Sequence, residues 1–142
     1  MSQSIKIFIM SLLVSFTAAA QVAIIPTLKD NVMRTIQRMD HLNEAKDVND
    51  SQFKNKLQAI ENLKNQIFFE LVPKMKNIAT KEEKSAVAEF QSYLQIIQSD
   101  KMNPKNCSDV KADFLEEKGN LNGESSWGFE QSYKIFEKLC GK

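Results

Sequence analysis

Apolar residues recur every three or four positions through almost the whole of this chain, a spacing that matches the turn of an α-helix and leaves little room for strands. Leu28, Val32, Ile36 and Met39 form one stripe, over residues 26–44. Phe53, Leu57, Ile60, Leu63, Ile67 and Leu71 form a second, over 51–72, and Phe68 and Phe69 widen it so that burial on more than one side is expected there. Val87, Phe90, Leu94 and Ile97 make a third, Cys107, Val110 and Phe114 a fourth, and Phe129, Tyr133, Phe136 and Cys140 a fifth.

The breaks between stripes carry helix-boundary chemistry. Pro26 suits a first helical turn, where its missing N–H costs nothing. Asn49, Asp50 and Ser51 are all able to cap the second helix. Pro73 is expected to stop or kink it, with 74–79 as a connector. Thr80-Lys-Glu-Glu83 is a capping box for the third helix, and Asn103-Pro104 is a cap and first-turn pair for the fourth. Gly119 is placed to terminate that helix, and Ser125 or Ser126 to cap the fifth. Only 4 glycines and 3 prolines occur in 142 residues, too few turn formers for a β-sandwich. The expected fold is all-α, an up-and-down bundle of four or five helices.

Residues 1–20 read as a cleavable secretion signal: a polar start with Lys6, an apolar run over 7–16, and Ala18 and Ala20 ahead of Gln21. The run is shorter than the roughly 20 residues of a comfortable membrane span. Residues 21–142 would then form a single helical domain, periplasmic or secreted. Lys6 is the only charged side chain removed, so the remaining domain holds equal numbers of basic and acidic residues. A neutral domain has no overall field to draw it to nucleic acid or to an anionic membrane. Cys107 and Cys140, the two cysteines of an exported chain, are expected to form one disulfide. Closing a loop of that size contributes about 4 kcal/mol in the chain-entropy account.

No catalytic or metal constellation emerges. His41 is the single histidine and lies about opposite the first stripe's centre, so a solvated side chain is the plainer reading. Met33, Met39, Met75 and Met102 suit core filling better than ligation, since none forms a tightly spaced pair. Glu82-Glu83 and Glu116-Glu117 are helix neighbours that point apart, and no Glu-x-x-His occurs. Lys74, Lys76, Lys81 and Lys84 make a mildly basic stretch with acidic residues interleaved. Asn49-Asp-Ser51 and Asn106-Cys-Ser108 fit the N-glycosylation triplet but also stand where helix caps are expected.

The order of a signal, Leu28-Lys-Asp-Asn-Val-Met33, a long second helix ending near a proline and a Phe90-containing third helix resembles the four-helix periplasmic b-type cytochromes. Cys107-Ser-Asp-Val-Lys-Ala-Asp-Phe114 echoes the Cys-x-x-Cys-His-x-x-Phe of their c-prime relatives, over a likeness spanning residues 28–114. Val110 replaces the second haem-attaching Cys and Lys111 the axial His, and no His follows His41. The resemblance implies a bundle able to hold haem b, with Met33 at the position of the methionine ligand.

The expected function is therefore non-enzymatic: a small exported binding or interaction protein, without cofactor or metal, whose partner is a protein or a small apolar ligand and which uses a groove between helices. Phe68, Phe69, Trp127 and Phe129 are the candidate contact surface, although the same residues also suit a core. A haem-binding electron carrier is the alternative. The exported protein should weigh about two hydrogens less than its reduced form and titrate almost no free thiol; an intact-mass spectrum and a thiol assay check both.

Overall fold

Every regular element in the computed structural model is helical among the residues it describes, which are 24–44, 50–76, 78–121 and 126–141. The expected signal over 1–20, the Asn49 cap and the turn at 122–125 lie outside them. Helix α1 is Ile24–Asn43. Helix α2 begins as Asp50–Gln66, passes through a π turn at Ile67–Leu71 and ends as Val72–Met75. Helix α3 is Lys81–Leu94, α4 is Cys107–Asn120 behind a 3₁₀ turn at Pro104–Asn106, and α5 is Trp127–Cys140.

Contacts between named residues set the helix directions. Asn43 at the end of α1 accepts from Lys56 early in α2, so these two run antiparallel. The Lys64 ammonium reaches the Ile97 carbonyl and Ser99 donates to Glu61, which places the end of α3 beside the middle of α2. Lys29 lies over the Trp127 ring and Asp40 pairs with Lys138, so α1 and α5 run parallel. Helix α4 runs back along α5, with Cys107 beside Cys140 and Phe114 beside Phe129. The direction alternates from each helix to the next, as in an up-and-down bundle.

The stripes read from the sequence supply the core: Leu28, Val32, Leu63, Ile67, Phe90 and Phe114 are among its fully buried members. The capping box at Thr80 forms in both directions, and Asn103 and Ser126 cap as expected. Helix α3 stops at Leu94, yet Ile97 in the turn beyond it is still buried. Gly119 does not terminate α4, which continues through Asn120 to a cap at Leu121.

Pro73 neither stops nor visibly breaks α2. A proline cannot donate to the carbonyl four residues back, and its ring crowds that carbonyl. Here the preceding turn widens, Val72 donates to the Ile67 carbonyl five residues back, and the helix runs on to Met75. The wide turn also keeps the stripe aligned. Leu63, Ile67, Leu71 and Met75 are all buried at an even spacing of four, which would drift around a 3.6-residue helix. Phe68 and Phe69 do not widen the buried face; they are 60% and 69% exposed on the outside of this turn.

Helices α3 and α5 pack most extensively, and small residues let them do so. A methyl group added at Gly128 would sit 3.2 Å from the Phe90 backbone nitrogen. One turn later Ser132 is fully buried, and its hydroxyl has no hydrogen-bond partner. Gly128→Ala should cost about 1–3 kcal/mol through overpacking, whereas Ser132→Ala should raise stability by about 1 kcal/mol by removing an unpaired buried hydroxyl. Urea unfolding of the two variants separates these effects.

Candidate functional site: a groove beside the disulfide

Helix α4 is the most lightly held of the five. Phe114 is its one fully buried side chain among the described residues. That ring inserts between Phe136 at 5.2 Å, Tyr133 at 5.6 Å and Phe129 at 6.1 Å, all on α5. Two turns nearer the start of α4, Cys107 is bonded to Cys140, with the Cα atoms 5.8 Å apart. The helix is thus fastened at two points, a ring cluster and a disulfide.

Between α4 and the second half of α5 lies an open groove of about 600 Å³. Cys107, Ser108 and Lys111 form one wall; Tyr133, Lys134 and Glu137 stand on the other, and Phe136 and the two bridged cysteines complete the lining. Sulfur and aromatic carbon therefore meet hydroxyl, ammonium and carboxylate groups in one cleft.

The end of α5 beside this groove has its acceptors satisfied from inside the bundle. Lys56 is buried, and its ammonium donates to the Leu139 carbonyl at 3.0 Å, the Lys138 carbonyl at 3.2 Å and the Asn43 side-chain oxygen at 2.9 Å. Asn43 donates in turn to the Lys138 carbonyl at 3.0 Å. A cation at a helix C-terminus is favoured by the free carbonyls gathered there, and three acceptors use all three ammonium donors. Burial pulls the Lys56 pKa below the usual lysine value. Gly141 closes the helix by donating to the Glu137 carbonyl at 2.6 Å.

The aromatic residues singled out as a contact surface do not form one. Phe129 is 5% exposed and belongs to the core, packed against Phe114, Tyr93 and Tyr133. Trp127 is half-buried against Phe90, between α3 and α5. Only Phe68 and Phe69 face outward, and their rings pack edge to face at 5.0 Å. Met33 is 52% exposed and lies off the buried face of α1, and His41 is also exposed. A haem inside a bundle needs a ligand pointing inward, so neither residue fits that group. Among the described residues, no cluster of three or more His, Cys, Asp or Glu side chains is placed to hold a metal. No described helix is long and apolar enough to cross a membrane.

The groove lysines were absent from the sequence reading, although a signal for them existed. Lys111 lies four residues after Cys107, and Tyr133, Phe136 and Glu137 lie seven, four and three before Cys140. Once the disulfide is drawn, helical spacing gathers them around it.

Comparison with family models, with curated proteins and with solved structures gave no match to this chain. Its own geometry is thus the basis for a functional reading. Reducing the disulfide should release α4 first. Amide exchange over 107–120 should accelerate strongly in a phosphine reductant while α1 to α3 stay protected, with at most about 4 kcal/mol of global stability lost.

Proposed function

We propose that this protein is an exported, non-enzymatic binding protein that carries a small apolar ligand in the groove between α4 and α5. The groove itself is the observation that supports the reading. Its volume of about 600 Å³ falls in the range of small-molecule sites, and its lining combines aromatic and sulfur surface with a few polar groups. Export to the periplasm or the medium is supported by the signal pattern over 1–20 and by the disulfide that borders the groove.

A protein-docking role is the second reading, favoured by Phe68 and Phe69. Two large rings exposed side by side on one helix turn are uncommon on a soluble surface unless something covers them.

The carrier reading is tested with N-phenyl-1-naphthylamine, a neutral dye that fluoresces in apolar surroundings. The wild-type protein should bind it saturably at one site. Ser108→Trp, which places a bulky ring in the groove from an exposed wall position, should weaken binding about tenfold or more with helix content unchanged. Equal binding by the variant would sink the assignment of this groove.

A further inference from the structure

We infer that the ligand of this groove is an anionic amphiphile, a carboxylate on an aliphatic chain, whose charged end is held between Lys111 and Lys134. The inference rests on the groove being the binding site. Three lysines line it, and one is already engaged: Lys138 pairs with Asp40 of α1. Lys111 from α4 and Lys134 from α5 stand on opposite walls, and neither forms an ion pair among the described residues. Like charges facing each other across a cleft repel, and an anion between them reverses the sign of that interaction.

Glu137 is the only carboxylate in the lining, and it stands three residues nearer the disulfide than Lys134. The negative end of a helix would normally repel an anion beside it. At the end of α5 that end is neutralised from within, because the Lys138 and Leu139 carbonyls accept from Lys56 and the Glu137 carbonyl accepts from Gly141. Those acceptors are drawn into the bundle rather than left facing the groove. The Ser108 and Tyr133 hydroxyls add neutral donors on the two walls. The remaining lining, the Tyr133 and Phe136 rings and the bridged sulfurs, asks for an apolar body. Charge and apolar surface in one cleft describe an amphiphile rather than a free inorganic anion or a hydrocarbon.

The test compares decanoate with decanol, which share a chain and differ in charge, by isothermal titration of the oxidised full-length domain. Decanoate should bind about tenfold tighter than decanol, as a charge-assisted contact implies. In Lys111→Ala/Lys134→Ala the two should bind within about threefold of each other. Both positions are exposed, so circular dichroism should show an unchanged helix content. Decanol binding as tightly as decanoate overturns the inference and leaves the carrier reading standing, as does a preference for decanoate that persists in the double variant. Failure of decanoate, decanol and the neutral dye alike overturns both.

Discussion

The attachment of α4 to α5 is the constraint on which the candidate site depends. Helix α4 buries one side chain completely, Phe114, and most of its surface faces solvent. An amphipathic helix with so little apolar contact is marginal by propensity alone. The Cys107–Cys140 bond compensates by keeping the two helices together whether or not the ring cluster is locally open. Both walls of the groove are built on this pair, so ligand contact and covalent cross-link share the same few residues. The three central helices have no such dependence, because their stripes are buried against one another along their length.

Helix α5 does more than close the bundle. It pairs with α3 through Gly128 and Ser132, runs parallel to α1, takes its C-terminal counter-charge from α2 through Lys56, and carries α4. Lys56 is a buried cation without a carboxylate, satisfied by backbone and amide oxygens alone. Such a group is costly to bury and costly to remove: truncation would strand the Lys138 and Leu139 carbonyls as well as lose the charge. The polar arrangement at that end therefore fixes where α5 stops, and through the disulfide it also fixes where α4 starts.

Much of this was legible in the sequence, and the remainder failed for identifiable reasons. The periodicity placed Val32, Ile36, Leu63, Phe90 and Phe114 on buried faces, the boundary residues Thr80, Asn103 and Ser126 capped as their chemistry suggests, and the cysteine pair closed. Phe68 and Phe69 misled because apolarity was read as burial, while the wide turn beneath them carries the buried face through Ile67 and Leu71 instead. Pro73 misled because a widened turn absorbs the missing donor. Phe129 and Trp127 were grouped with Phe68 and Phe69 by residue type, but α5 begins beside α3 and draws its first aromatics inward. The groove was invisible because it belongs to two helices at once. Periodicity describes one helix at a time, and only the cross-link joins these two stretches of sequence.

The π turn in α2 also bears on how such a chain changes over time. A widened turn is a helix holding roughly one residue more than its neighbours need. Removing a residue there would leave a continuous helix but rotate everything beyond it by about 100° relative to what precedes it. Leu71 and Met75 would leave the interior together, and other side chains would take their places. A short segment of this kind lets one small insertion or deletion exchange the hidden and displayed faces of a helix end in a single step. The outward pair of phenylalanines is thus a product of local register, a property that point substitution reaches only slowly.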